Sequence, residues 1–73
     1  MIKKQNIVGP KIRKLRNQRE MLQDALAAKC GLLGWDLSRS TLAKIEAQVR
    51  CVTDRELLIL AKALKVTIGD LFQ

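Results

Sequence analysis

The 73-residue chain contains no histidine and no tyrosine, only one proline, two cysteines and two aromatic residues, Trp35 and Phe72. Two cysteines without histidine do not suit a zinc site. The seven acidic residues are scattered singly. No glycine-rich phosphate loop and no nucleophile–base pair can be assembled from the sequence. We therefore predict that the chain is not an enzyme and binds no metal, cofactor or small-molecule ligand.

Two cysteines are also too few for a disulfide framework of the kind that secreted domains use. No apolar run approaches the length of a signal peptide core or a membrane span. The sequence therefore predicts a cytoplasmic protein with reduced thiols and no membrane partner. Because Cys30 lies among helix-forming residues and Cys51 precedes Val52, both are expected to be buried as small hydrophobes.

The composition predicts an all-α fold in one small domain, residues 1–73. Nearly half of the residues are apolar (48%), which favours a folded chain over a disordered one. With so few aromatics, the core should consist of Leu, Ile, Val and Ala. These residues recur at helical spacing, and the single proline, Pro10, stands where a first helix can begin.

The net charge of +7 is unevenly distributed. Residues 1–53 hold eleven Lys or Arg and four Asp or Glu, whereas residues 54–73 hold three of each. Residues 1–8 form a basic N-terminal arm carrying Lys3 and Lys4. Such clustering indicates a polyanionic partner, for which double-stranded DNA is the main candidate. A solvated basic surface without a partner is the alternative.

Three later helix starts carry the residues of an N-terminal cap. Thr53 with Glu56, and Thr67 with Asp70, are spaced as capping boxes, and each follows a valine that suits a hydrophobic staple. Ser38 has the cap but no acid three residues later, so the start of that helix stays positive and favours an anion. The fourth helix is predicted from Asp54 to about Leu64. The last helix is predicted from Ile68 to Phe72.

The segment from Gln23 to Glu46 outlines two short helices at a steep angle, the second carrying its apolar residues on one side. Leu42 and Ile45 are predicted to lie in the core. A helix of this kind fits a DNA major groove, where polar and basic side chains meet base edges and phosphates. Such a helix offers Arg39, Ser40, Thr41 and Lys44 to a partner.

The pattern resembles the lambda-repressor-like, Cro/cI-type helix-turn-helix domain, also called the XRE family. The resemblance covers roughly Gly9 to Phe72. Four segments in the family's order carry it: residues 12–16 (IRKLR), 23–27 (QDALA), 38–46 (SRSTLAKIE) and 56–66 (ELLILAKALKV). The family implies five helices, of which the second and third form the helix-turn-helix.

The resemblance also assigns residues to roles. The residues that match the base-reading positions are Arg39, Ser40, Thr41 and Lys44. Gln23 matches the position that binds a phosphate or the first base, and Arg50 matches a phosphate contact after the recognition helix. Arg16 and Glu46 match a structural salt bridge between the first and third helices. Alternatively, Gln23 is only a first-turn residue and Lys44 only a solvated lysine. Three further residues are predicted to contact phosphate: Arg13, Lys14 and Trp35.

The sequence departs from the family pattern at three places. About five extra residues, Leu33–Leu37, separate the two motif helices, so we expect the second helix to run to about Leu33 and end at Gly34. Trp35 then either covers the lengthened turn or reaches a phosphate through its indole N–H. Leu22 replaces the usual Ser or Thr cap. Gln48 replaces a glycine and faces a left-handed backbone conformation.

The favoured function is a sequence-specific DNA-binding transcriptional regulator, a repressor that binds a palindromic operator as a dimer. Phage repressors, restriction–modification controllers and antitoxins all remain open as biological contexts. The alternative function is an antitoxin or other module whose main partner is a protein. Residues predicted for the dimer interface lie in the last two helices: Leu58, Ile59, Ile68, Leu71 and Phe72.

Overall fold

A computed structural model describes residues 3–73, so the first two residues of the predicted basic arm lie outside the described residues. It contains four α-helices: α1 (Gly9–Gln18), α2 (Gln23–Leu32), α3 (Arg39–Glu46) and α4 (Asp54–Leu64). The all-α prediction is confirmed. The predicted fifth α-helix is instead a 3-10 turn over Gly69–Phe72, because four residues are too few for a ladder of α-helical hydrogen bonds.

An aliphatic core lies between the helices, as the shortage of aromatics predicts. Helix α2 packs against α3 and α4, and α1 packs against α3, α4 and the 3-10 turn. The largest fully buried residues are Ile12, Leu26, Leu42, Ile45, Leu60, Leu64 and Leu71. The prediction for Leu42 and Ile45 is therefore confirmed, and the opposite side of α3 faces solvent. None of the helices within residues 3–73 has the length and apolar character needed to cross a bilayer.

The predicted caps form at all three helix starts. Ser38 Oγ accepts the Thr41 backbone N–H at 3.1 Å. Thr53 and Glu56 form a reciprocal capping box at the start of α4. Thr67 and Asp70 exchange the same two kinds of hydrogen bond, at 2.9 and 3.2 Å, before the 3-10 turn. Each cap satisfies backbone donors that a helix cannot pair internally.

All four helices end in the same way, with a left-handed residue inside a Schellman motif. Gly34 (φ 100°) ends α2, with the Trp35 N–H bonded to the Cys30 carbonyl at 3.0 Å, so the predicted end of this helix is confirmed. The other three helices place a non-glycine residue at this position. These residues are Glu20 (φ 52°), Gln48 (φ 65°) and Lys65 (φ 59°).

The prediction that both cysteines are buried is half wrong. Cys30 is fully buried on α2, and burial raises the pKa of its thiol to about 11. Cys51 is exposed, and its thiol donates to the Gln5 side-chain oxygen at 3.3 Å. The neighbouring Val52 packs against the core instead, because successive side chains of an extended segment point in opposite directions.

Candidate nucleic-acid interface

The start of α3 is built to stay positive and exposed. Helix α3 has no acidic residue in its first turn, and Ser38 supplies a neutral cap. The Ser38 hydroxyl lies 3.2 Å from the Ser40 hydroxyl and donates to the Thr41 hydroxyl at 2.9 Å. Three hydroxyl groups therefore surround a helix N-terminus that carries the positive end of the helix dipole. This arrangement suits contact with a phosphate or with base-edge acceptors.

The solvent face of α3 carries most of the predicted base-reading side chains. Arg39, Ser40 and Lys44 are exposed, whereas Thr41 is half-buried at the margin of the face. Ser40, Lys44 and Ala47 recur at intervals of four and three residues and so lie along one line of the helix. Ala47 was not predicted as part of this face. Its exposed methyl group is of the type that contacts a thymine methyl, a role the sequence pattern alone does not indicate.

A buried ion pair fixes α3 against α1. Arg16 Nε donates to Glu46 Oε2 at 2.8 Å, and a second guanidinium N–H reaches Oε1 at 3.1 Å. Arg16 also donates to the Met21 carbonyl at 2.7 Å. The pair predicted from the family pattern thus forms, and both residues are at most 9% exposed. Breaking such a pair leaves an uncompensated buried charge, so its main effect is to hold the two helices in one orientation.

Gln23 joins this network from the start of α2. Its side-chain amide donates to Glu46 Oε1 at 3.1 Å, which ties the first residue of α2 to the end of α3. One N–H of the amide is therefore occupied, and the second remains for an outside acceptor. A phosphate can therefore accept from the second N–H of Gln23 while the hydrogen bond between Gln23 and Glu46 stays in place. The hydrogen bond adds a polar link between the two motif helices, which also pack against each other.

A cleft of about 350 Å³ opens between the starts of α2 and α3. Leu22, 75% exposed, provides no side-chain cap, so the first backbone N–H groups of α2 remain available to an anion. Arg39 lines the other wall. Asp24, in the first turn of α2, also lines the cleft, and its negative charge opposes an anion there. The cleft brings a predicted base reader next to a predicted phosphate site.

Arg50 makes intramolecular contacts that the sequence does not indicate. Its guanidinium makes two hydrogen bonds with the Glu56 carboxylate, at 3.0 and 3.1 Å, and donates to the Cys51 carbonyl. The hydrogen bonds that Arg50 donates to Glu56 raise the pKa of Arg50. Its Cζ atom lies 5.9 Å from the centroid of the Trp35 ring, within cation–π range. Trp35 is half-buried and packs on the core, so it covers the lengthened turn and also supports Arg50.

The remaining predicted phosphate residues do not converge on the cleft. Arg13 and Lys14 are both exposed on α1. Lys14 lines a separate surface groove with Phe72, at the junction of α1 and the 3-10 turn. A position there suits general attraction to DNA rather than a defined contact beside α3.

The structure reveals an organising residue that the sequence analysis missed, Asn6. Its side-chain N–H groups donate to the carbonyls of Ile45, at 3.0 Å, and Arg50, at 2.8 Å. Its side-chain oxygen accepts the Gly9 N–H at 2.8 Å. The Gln48 side-chain amide donates to the Asn6 backbone carbonyl at 3.0 Å. The N-terminal arm is thus docked on the end of α3. The contact with Gly9 is local, but the two tertiary partners of Asn6 lie about 40 residues away and are not readable from sequence.

The predicted dimer residues divide into exposed and buried ones. Leu58, Ile68 and Phe72 are 44%, 39% and 51% exposed. Ile59 is half-buried and packs on the core. Leu71 is 1% exposed and belongs to the core, so its assignment to a surface interface is wrong. In the 3-10 turn Leu71 points into the core and Phe72 points outward.

Comparison with known proteins agrees with this geometry. The family model described as Helix-turn-helix matches residues 12–71. The crystal structure of the restriction-modification controller protein C.AhdI from Aeromonas hydrophila superposes with a TM-score of 0.80 and 32% sequence identity, covering 89% of this chain and 91% of that one. No curated protein sequence matches the chain. With four helices, an exposed α3 and these matches, the chain belongs to the XRE-type helix-turn-helix family of DNA-binding transcriptional regulators.

Proposed function

We propose that the protein binds a palindromic operator as a homodimer and represses transcription, with α3 of each protomer reading one half-site in the major groove. One observation carries the proposal. The apolar residues of α3 are buried on one side, while Arg39, Ser40 and Lys44 lie on the solvent side of a helix whose start is capped by a neutral serine. An exposed, positive helix start of this composition matches how recognition helices present side chains to base edges.

A dimer is part of the proposal for a physical reason. A single domain of this size buries too little surface on DNA for tight specific binding, and two-fold symmetry doubles the contacts. Leu58, Ile68 and Phe72 offer exposed apolar side chains in the C-terminal part of the chain, away from α3. We assign the dimer interface to these three residues.

Among the contexts left open by the sequence, control of restriction–modification genes is favoured. The support is the similarity to C.AhdI, a restriction-modification controller protein, over nearly the full length of both chains. The departures from the family pattern, above all the lengthened turn at Trp35, are expected to alter which operator is read rather than whether DNA is bound.

The test is selection of bound sequences from random duplex DNA, carried out with the natural chain and with Arg39→Ala. We expect a palindromic motif that loses one defined base preference in the variant, with specific binding weakened by roughly 1–3 kcal/mol. Arg13→Ala is the matched control, since it removes an exposed arginine on α1. Arg13→Ala should weaken binding to all DNA sequences about equally and reduce the slope of log affinity against log salt by about one charge.

Two outcomes would reject the proposal. If no motif is enriched and binding depends only on salt, then α3 does not read bases. If Arg39→Ala and Arg13→Ala act alike on specific and random DNA, the role assigned to Arg39 is wrong. Sedimentation of Phe72→Asp and of the natural chain tests the dimer separately, since the charged side chain should shift the protein to a monomer.

A further inference from the structure

An apolar groove lies at the end of α2 that is remote from the DNA-facing cleft. Leu32 is 89% exposed and Leu33 is 44% exposed, although both are large aliphatic side chains. With Ala63 of α4 they form a groove of about 270 Å³, lined mainly by apolar atoms. Leaving adjacent leucines in water gives up the free energy that their burial would supply. The groove is therefore a surface that gains from being covered.

The rim of this groove is positive. Lys29, Lys62 and Lys65 line it, and no carboxylate does. The two ion pairs found within residues 3–73 use Arg16 and Arg50, so neither neutralises the rim. Lysines near helix C-termini stabilise the helix dipole, which accounts for their charge but not for the exposed leucines between them. Together the leucines and lysines select a partner that is apolar and acidic.

The groove and the cleft lie at opposite ends of α2. Gln23, beside the cleft, and Leu32, in the groove, are the first and last residues of α2. A helix of this length separates its ends by roughly 15 Å, at 1.5 Å per residue. The groove and the cleft are therefore separate surfaces at the two ends of this helix.

We propose that this groove, formed by Lys29, Leu32, Leu33, Lys62, Ala63 and Lys65, docks an acidic amphipathic helix of a partner protein. The partner places apolar side chains on the leucines and carboxylates against the lysine rim, in the helix-in-groove mode. A second copy of this chain does not suit the groove, because an isologous contact would bring two lysine rims together. A small ligand does not suit it either, since the groove is too shallow to enclose one.

The experiment measures binding of a fluorescein-labelled helical peptide by fluorescence anisotropy. The peptide carries leucines at positions i, i+3, i+4 and i+7, with glutamates flanking them; a second peptide carries glutamine at each glutamate. We expect the glutamate peptide to bind the natural chain at least about tenfold more tightly than the glutamine peptide. Leu32→Ser should weaken binding about tenfold or more, while Ile7→Ser, which alters another highly exposed apolar residue, should leave it unchanged.

Folding and site are checked in the same samples. Because Leu32 is so exposed, Leu32→Ser should unfold at the same temperature and bind DNA with the same affinity as the natural chain. When the peptide is added to the natural chain, amide chemical shifts should change at the ends of α2 and α4. Lys62→Glu lowers the charge of the rim from +3 to +1, so it should reduce the preference for the glutamate peptide over the glutamine peptide. Equal binding of the two peptides, shifts elsewhere, or a dimer that dissociates on Leu32→Ser would overturn the proposal.

Discussion

Arg50 and Glu56 form a bidentate ion pair that links the segment after α3 to the start of α4. Glu56 Oε1 accepts from an Arg50 guanidinium N–H at 3.0 Å and also from the Thr53 backbone N–H at 3.0 Å. One carboxylate thus completes the capping box of α4 and neutralises the arginine assigned to DNA phosphate. A phosphate that approaches Arg50 must therefore compete with Glu56.

Glu56→Gln separates these two roles. Glutamine can still accept the Thr53 N–H, so the capping box survives, but it no longer neutralises Arg50. We expect non-specific DNA affinity to rise at low salt and the slope of log affinity against log salt to steepen by about one charge. Stability should fall by less than about 1 kcal/mol, since the Arg50 side chain is 34% exposed and Glu56 15%.

Thr53→Ala is the control for that experiment. It removes the hydroxyl that caps α4, at a cost of about 1 kcal/mol, while leaving Glu56 paired with Arg50. Its salt slope for DNA should equal that of the natural chain. If Glu56→Gln also leaves the slope unchanged, Arg50 does not contact phosphate and acts only as a link between Trp35 and α4.

Acid should weaken the fold partly through Glu56. The hydrogen bond from Arg50, opposed by burial, holds the pKa of Glu56 below its ordinary value of 4.5. A lowered folded-state pKa means that this stability is present above the ordinary value and lost as pH falls through the folded value. In urea unfolding, the free energy of unfolding should therefore decrease as the pH is lowered from roughly 5 to 3.

The same titration on Glu56→Gln identifies the source of the acid sensitivity. Glutamine does not titrate, so the decline in the free energy of unfolding should be shallower. A residual decline is expected, because hydrogen bonds from Thr67 lower the pKa of Asp70 as well. Identical curves for the two proteins would mean that Glu56 has the same pKa in the folded and unfolded states, so that its pairing with Arg50 does not cause the acid sensitivity.

The features that the sequence predicted correctly are those set by neighbours along the chain. The caps at Ser38 and Thr53 follow from residues three positions apart, and the end of α2 follows from a glycine after an apolar run. The Arg16–Glu46 pair spans 30 residues, and only the family resemblance suggested it.

The features that were missed depend on tertiary packing. The side-chain donors of Asn6 find carbonyls about 40 residues away, and no local pattern records such a pairing. The outward turn of Cys51 and the inward turn of Leu71 depend on the backbone path of short segments. A one-residue rotation exchanges core and surface there, and hydrophobicity alone does not decide it. The exposed leucines at the end of α2 were not predicted for the same reason.

Gly9→Ala should destabilise the protein although alanine is the better helix former. A Cβ atom on Gly9 would press into the carbonyl oxygen of Ile45 and lie 3.0 Å from that of Glu46. Overpacking against backbone costs about 1–3 kcal/mol, which exceeds the gain in helix propensity of up to about 1 kcal/mol. Urea unfolding measures the change in free energy directly.

Gly31→Ala is the matched control on α2. No atom lies within 4 Å of the Cβ position at Gly31, so only the propensity gain remains. This variant should be more stable by up to about 1 kcal/mol. If Gly9→Ala also stabilises the protein, then α1 can move away from the end of α3, and the docked N-terminal arm is not rigid.

Glu20 and Gln48, two of the three non-glycine residues within residues 3–73 that have a left-handed backbone, should respond differently to substitution by glycine. Both occupy the position after a helix where a side chain is strained, so glycine should relieve about 0.5–1 kcal/mol at each. Glu20 is exposed, and Glu20→Gly should yield that full gain. Gln48 also donates a hydrogen bond to the Asn6 carbonyl, worth about 1 kcal/mol, so Gln48→Gly should be close to neutral. Equal stabilisation by both variants, measured by urea unfolding, would show that the Gln48–Asn6 bond adds nothing to the docking of the arm on α3.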